Sequence, residues 1–185
     1  MKKNLSALLI ICSVFGFSQK FTISAGASFP FVAAKQKMDG SGTDEAKPGF
    51  NIGASTAFVM NDANELELGA YYQHNKLTSL PPPGLPASSA ERNLNLVFIP
   101  VNYKYNFGNQ FFIKGGPIVT IDTYEKDGYF DNYSGLGFGI SAGKDFGDEG
   151  FKFRVAPYAN AHTLWSFNDN NYFINDLGIQ LGLVF

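Results

Sequence analysis

Apolar and polar residues alternate one by one over most of this chain, in runs of about ten residues, the period of a strand with two unlike faces. The first run sets Phe21, Ile23, Ala25, Ala27, Phe29 and Phe31 against Thr22, Ser24, Gly26 and Ser28. The second carries Phe50, Ile52, Ala54, Thr56, Phe58 and Met60 opposite Asn51, Gly53 and Ser55. The third has Leu66, Leu68, Ala70 and Tyr72 against Glu65, Glu67, Gly69 and Gln73. In the fourth, Leu94, Leu96 and Phe98 share a face, Ile99-Pro100 intervenes, and Val101, Tyr103, Tyr105 and Phe107 continue one residue out of phase. Proline donates no ladder hydrogen bond, so a bulge is expected there. The fifth run sets Phe111, Ile113, Val119 and Ile121 against Lys114, Gly116 and Thr120. The sixth sets Leu136, Phe138, Ile140 and Ala142 against Gly137, Gly139, Ser141 and Gly143. The seventh pairs Phe151, Phe153 and Val155 with Lys152 and Arg154, and the last Leu177, Ile179, Leu181, Leu183 and Phe185 with Asp176, Gly178, Gln180 and Gly182. An even number of strands lets an up-and-down sheet begin and end on one side. The expected fold is all-β, an eight-stranded antiparallel up-and-down transmembrane β-barrel.

The connections carry an independent signal. Residues 61–64, 108–109 and 147–150 read as tight hairpin turns. They alternate with longer polar connections at 33–48, 77–92, 123–133 and 164–174. Short turns at one end and long loops at the other is an outer-membrane pattern, with the long loops outside the cell.

Residues 1–18 stand apart from this alternation. Lys2 and Lys3 precede an apolar stretch from Leu5 to Phe17, and Gly16 and Ser18 are small residues before a cut after Ser18. This is the pattern of a secretory signal peptide. The stretch falls short of the roughly 20 residues a helix needs to cross a bilayer. On this reading residues 19–185 form one outer-membrane barrel domain that begins at Gln19. Cys12, the single cysteine, lies inside the leader, and the bulky Ile11 before it argues against a lipoprotein cleavage box. The mature domain then enters an oxidising compartment without needing disulfides.

Composition agrees with an all-β chain: 19 Phe, 9 Tyr and 20 Gly among 185 residues. The 14 Lys plus Arg against 16 Asp plus Glu give a net charge of −2, without the basic footprint of a nucleic-acid binder. Loss of Lys2 and Lys3 with the leader leaves 12 against 16, or −4. With the N-terminus at the periplasmic edge, Phe21, Phe58, Phe107, Phe111, Phe146, Phe151 and Phe185 fall near one rim, and Leu66 fills the place left on the third strand. Aromatics gather at membrane interfaces, which makes this set a candidate periplasmic girdle. Phe29, Phe31, Phe50, Tyr72 and Tyr124 fall at the opposite rim.

With these residues in view, the chain resembles the small outer-membrane β-barrel, or "porin family", proteins of Gram-negative bacteria. The resemblance covers the whole mature chain. Residues 98–105, Phe-Ile-Pro-Val-Asn-Tyr-Lys-Tyr, are similar to that family's fourth-strand motif, and residues 112–117, Phe-Ile-Lys-Gly-Gly-Pro, to the strand after it. Residues 177–185 resemble the C-terminal signal read by the barrel-assembly machinery, which favours a final aromatic. The resemblance implies an outer-membrane location, with membrane lipid, lipopolysaccharide and the assembly machinery as partners. It implies no catalytic motif and leaves the biochemical role open.

Eight strands enclose a space that side chains nearly fill. The charged inward candidates are Glu65, Glu67, Lys104, Lys114, Asp145, Lys152 and Arg154, all in the periplasmic half. Glu67 is expected near Lys104, and Asp145 near Lys152. Mutual pairing makes them a polar plug, because an unpaired buried charge is expensive. A structural or surface-interaction role follows from that reading. The competing reading is a narrow channel for ions or small solutes lined by the same charges. A third, a soluble lipocalin-like binder of an apolar ligand, reverses the faces: Lys104, Lys152 and Arg154 outside, with Phe21, Ile23 and Ile179 inside.

Nothing in the chain points to an enzyme, a cofactor or nucleic-acid binding. His74 and His162 are the only histidines, and no metal-ligand spacing appears. Asp122 with Glu125, and Asp127 with Asp131, read as solvated loop acids rather than a calcium site. Residues 135–139, Gly-Leu-Gly-Phe-Gly, sit in a strand with no helix to follow and are no phosphate loop. Residues 80–86 are proline-rich and should be extended and stiff. Tyr124, Tyr129, Phe130, Tyr133, Trp165, Phe167, Tyr172 and Phe173 read as the outer aromatic belt with loop packing; the alternative is a contact site for a ligand or host surface.

Overall fold

The computed structural model describes residues 20–34, 43–80, 89–124, 132–147, 150–168 and 172–185. Eight strands form the wall: Lys20–Ala34 (β1), Thr43–Val59 (β2), Asn64–Leu80 (β3), Ala90–Phe107 (β4), Phe111–Asp122 (β5), Gly135–Phe146 (β6), Lys152–Ser166 (β7) and Tyr172–Val184 (β8). Each pairs antiparallel with its neighbours in the chain, and β1 pairs with β8 to close the barrel. The expected leader at 1–18, the proline-rich 81–86, the acids Glu125, Asp127 and Asp131, and the aromatics Tyr129 and Phe130 lie outside the described residues.

The two-residue period of the sequence becomes the two faces of this wall. Ile23 and Ile179 are 47% and 50% exposed, whereas Lys104 and Arg154 are 1% and 4% exposed. These faces are the reverse of those a lipocalin-like binder requires. Leu66, Leu68, Tyr103, Ile113, Phe138, Ile140, Leu181 and Leu183 continue the exposed apolar surface around the barrel. A contiguous band of this extent far exceeds the patches that a water-soluble surface carries.

Pro100 does not create a bulge. The registers of β4 against β3 and β5 pass through it unshifted, and the β3–β4 pairing is merely interrupted between Leu68↔Val101 and Tyr71↔Phe98. The apparent change of phase has another cause. Leu94, Leu96 and Phe98 point into the lumen and are buried, while Ile99, Val101, Tyr103, Tyr105 and Phe107 point out. Apolar character therefore changes face along β4 while the backbone stays regular. Register shifts occur instead between Lys47 and Phe50, at Pro48-Gly49, and opposite β7 between Leu136 and Phe138.

At one end the connections are tight. Asn61 Oδ1 accepts from the backbone amides of Ala63 and Asn64 between β2 and β3. Asn109 (φ 62°) and Gln110 (φ 67°) turn the chain between β4 and β5, and Gly147 (φ 122°) and Gly150 (φ 101°) flank the β6–β7 turn. At the other end the strands run further than the alternation indicates. β3 continues to Leu80, β4 starts at Ala90, β7 reaches Ser166 and β8 starts at Tyr172, so parts of the expected loops at 77–92 and 164–174 are strand. Above an apolar band both strand faces carry polar residues, as in Asn93, Thr78 and Ser79, and the two-residue signal disappears although the ladder persists.

Gly116 marks a close approach of β4 and β5: a Cβ there would lie 1.9 Å from the Val101 carbonyl oxygen. Backbone must move to admit it, so Gly116→Ala is expected to lower stability by about 1–3 kcal/mol. Equilibrium refolding from urea in lipid vesicles checks this.

Candidate functional site: the layered lumen

The charged layer lies at the short-turn end. Glu65 faces Lys104 across the β3–β4 ladder and Asp145 faces Arg154 across β6–β7, so the strand pairing itself places opposite charges side by side. Lys104 Nζ donates to Glu65 Oε2 at 3.0 Å, and Lys20 also donates to Glu65. Arg154 presents a two-pronged contact to Asp145, Nε at 2.7 Å and Nη2 at 3.0 Å, and its Nη1 reaches Glu67 Oε2 at 3.2 Å. Lys114 Nζ donates to Glu67 Oε1 at 2.5 Å, and Lys104 lies 3.7 Å from Asp145 Oδ2. Phe112, buried beneath the layer, has Lys104 Nζ and the Arg154 guanidinium each 4.7 Å from its ring centre. Six strands are tied together across the lumen by these contacts.

Two expected pairings change. Glu67 faces Asn102 and bonds Lys114 and Arg154, while Lys104 takes Glu65. Asp145 bonds Arg154 rather than Lys152, because the β6–β7 register opposes it to the residue one dyad further on. Lys152 is half-buried at the mouth. There it lines a hollow of about 290 Å³ with Lys20, Asp145, Phe151 and Phe185.

Beyond the charges comes an apolar layer in which Tyr71 stacks on Phe98 at 5.1 Å, with Ile118 against them. A cavity of about 30 Å³ lined in part by Tyr71, Phe98, Lys114 and Asn160 has room for about one or two waters. His162 is fully buried, edge-on to Phe98 at 5.2 Å, with Nδ1 3.0 Å from Thr120 Oγ1. A polar belt follows, built from Ser28, Asn51, Gln73, Asn75, Tyr158 and Asp176. Towards the long-loop end Leu77, Leu94, Leu96, Tyr133 and Ile174 form a fully buried apolar cluster. Arg92 Nη2 and Asp122 Oδ2 pair at 3.0 Å, with the guanidinium 4.4 Å over the Tyr124 ring.

Several of these groups escape the sequence reading. Asp122 is a buried ion-pair partner that also accepts from the amides of Tyr124 and Tyr133, and is no solvated loop acid. Arg92 and Asp122 share the inward parity of Lys104 and Lys114 on their strands, the one signal that would have found them. Tyr124 is half-buried under Arg92 instead of facing outward at the rim. Tyr133 is fully buried, while Trp165 and Phe167 are 70% and 58% exposed.

Phe107, Phe111, Phe146, Phe151 and Phe185 lie exposed at the short-turn end, with Phe21 and Phe58 half-buried beside them. Phe107 stacks on Phe111 at 6.2 Å, and Phe151 meets Phe185 edge-on at 5.6 Å. Lys144 belongs to the outward face of β6, and its Nζ sits 4.7 Å from the Phe111 ring and 5.2 Å from that of Phe146. Phe29, Phe31, Phe50 and Tyr72 are exposed towards the other end.

Comparison with solved structures finds the same architecture at low identity. The N-terminal β-barrel domain of OprF from Pseudomonas aeruginosa aligns with a TM-score of 0.52 at 14% identity, covering 91% of this chain and 98% of that one. The outer membrane protein OprG of the same organism aligns at 0.55 and 13% identity, over 91% and 96% of the two chains. Ail, the attachment invasion locus protein of Yersinia pestis, aligns at 0.50 and 13%, over 90% and 98%. No protein-family model matches the chain, and no curated protein matches it. Strand number, closure, antiparallel order and these alignments agree: the chain has the fold of the small outer-membrane β-barrels.

Proposed function

We propose that this protein is an integral outer-membrane barrel whose lumen is closed by its own side chains, and that it acts as a structural or surface-interaction element rather than a pore or an enzyme. The observation that carries the reading is the charged layer. Glu65, Glu67 and Asp145 are all satisfied by Lys20, Lys104, Lys114 and Arg154, and the described part of the lumen continues in packed layers above them. A conducting path needs hydrated, uncommitted charge, whereas these side chains are spent on one another. Eight-stranded barrels have little interior beyond what side chains occupy.

The exposed apolar wall supports residence in lipid, and the aromatic set from Phe21 to Phe185, with Lys144 among it, supports a periplasmic girdle. Residues 1–18 serve as the secretory signal peptide in this proposal, and residues 177–185 as the segment handed to the barrel-assembly machinery. Outer-membrane phospholipid and lipopolysaccharide contact the wall, and the long-loop end faces the exterior. No catalytic group or cofactor takes part.

Planar-bilayer recording of the refolded protein tests the closed lumen. The expected record shows no stepwise conductance, and Glu67→Gln with Asp145→Asn, which frees the cations, is expected to introduce brief openings. Stable unitary conductance of the unaltered protein would replace this reading with the narrow channel.

A further inference from the structure

We infer that the polar belt midway up the lumen is a binding site for one monovalent metal cation, of the sodium or potassium class, centred on Asp176. Asp176 projects from β8 and is fully buried. Its Oδ1 accepts from Ser28 Oγ at 2.9 Å and its Oδ2 from Tyr158 Oη at 2.8 Å. No lysine, arginine or histidine among the described residues pairs with it, in contrast to every carboxylate of the charged layer below. The Phe29 backbone amide also donates to Asp176. A carboxylate removed from water without a countercharge is costly, and two hydroxyls and one amide, all neutral, do not supply one.

The surroundings are rich in oxygen, and their donors are neutral amides and hydroxyls. Asn75 Oδ1 already receives Gln73 Nε2 at 2.9 Å and lies 3.3 Å from Ser28 Oγ, which has a single proton to give. Tyr158 Oη, committed to Asp176, receives Asn51 Nδ2 at 2.7 Å. Gln73 is itself fully buried, and its Oε1 has no hydrogen-bond partner. That oxygen belongs to the amide whose nitrogen is bonded to Asn75, so an unsatisfied acceptor stands beside a network centred on an uncompensated carboxylate. One ligand resolves both: a cation held by the Asp176 carboxylate and by neutral oxygens of Ser28, Asn75 and Gln73.

The charge of the ligand follows from the same count. Oxygen donors of this kind suit hard cations, and divalent sites usually gather several carboxylates. A single carboxylate with amide and hydroxyl oxygens balances one positive charge. The site is independent of whether the lumen conducts, since it requires only that β1, β3 and β8 hold these side chains together.

The test is thermal unfolding of the refolded protein in detergent, followed by circular dichroism, in sodium, potassium or choline chloride at equal ionic strength. Saturable binding to the folded state alone should raise the midpoint in sodium or potassium over choline by about 3 °C or more. Asp176→Asn should abolish the difference between salts. Gln73→Met, which keeps the charge and removes one oxygen, should raise the half-effective cation concentration by about tenfold, the equivalent of one lost contact; it also serves if Asp176→Asn fails to fold. Equal midpoints in all three salts would overturn the proposal. So would a midpoint in choline that climbs to the sodium value as pH falls with no cation dependence, which would make the occupant a proton. An unchanged sodium response in either variant would place the cation elsewhere.

Discussion

Replacing Glu67 with alanine is expected to destabilise the folded barrel by about 3–5 kcal/mol, because it strands the buried Lys114 ammonium and takes one contact from Arg154. The carboxylate bridges Lys114 Nζ at 2.5 Å and Arg154 Nη1 at 3.2 Å, and all three side chains are at most 6% exposed. Arg154 keeps its two contacts to Asp145, so most of the penalty should fall on Lys114, for which Glu67 is the ion-pair partner. That division can be measured. Adding Lys114→Met to Glu67→Ala removes the stranded ammonium and should recover a substantial part of the loss, giving a coupling energy of about 1–3 kcal/mol in a double-mutant cycle. Equilibrium urea titration in vesicles, read by the mobility of unboiled samples, supplies the four free energies. A Glu67→Ala loss within about 0.5 kcal/mol, typical of an unremarkable surface change, would mean that water reaches Lys114 and that the layer is not closed.

The net contribution of such a layer need not be large. Desolvation offsets much of the attraction between buried ions, and apolar replacements of matched volume are often as stable. Its role here is better understood as selection of register. Sliding β4 by one residue against β3 would turn Lys104 out of the lumen and leave Glu65 unpaired. The charges thus penalise the wrong pairing more than they favour the right one.

The barrel was legible in the sequence because the wall has one rule: odd and even positions meet different surroundings. Strand number and the inward charges of the short-turn half follow from parity. What parity does not encode is where along the axis the lumen is polar. Leu94, Leu96 and Phe98 are inward residues that carry the outward kind of chemistry, which made a regular strand resemble a bulged one at Pro100. Cross-strand partners differ from the expected ones by a dyad for a related reason. Asp145 meets Arg154 only because the β6–β7 hairpin closes at Phe146↔Phe153, and a turn length fixed by Gly147 and Gly150 conformations is not visible in alternation. The long-loop end was hardest. Arg92 and Asp122 lie at the margin of the expected loops, where inward parity alone separates a buried ion pair from loop residues. Asp176 has the inward parity of its strand, but that no described cation pairs with it emerges only once β1, β2, β3 and β7 are placed around it.

Introducing arginine at Ile140 is expected to cost about 2–4 kcal/mol of folding free energy in lipid vesicles, the penalty for a cation near the bilayer midplane. Ile140 is 49% exposed and faces away from the lumen, paired with Gly115 on one side and Ala159 on the other. It therefore has room for a larger side chain, and packing within the protein will not dominate the result. The same strand supplies the comparison. Lys144, two repeats of the pleat nearer the short-turn rim, already carries a cation on that face between Phe111 and Phe146, where its amine can reach the interface. Phe146→Arg, at the rim itself, should accordingly cost only about 0–1 kcal/mol of membrane penalty. Two outward positions on one strand receive the same substitution, and depth in the bilayer sets the cost. A barrel standing in water would show no such gradient, since arginine at Ile140 would then break up an exposed apolar patch and leave stability unchanged or improved.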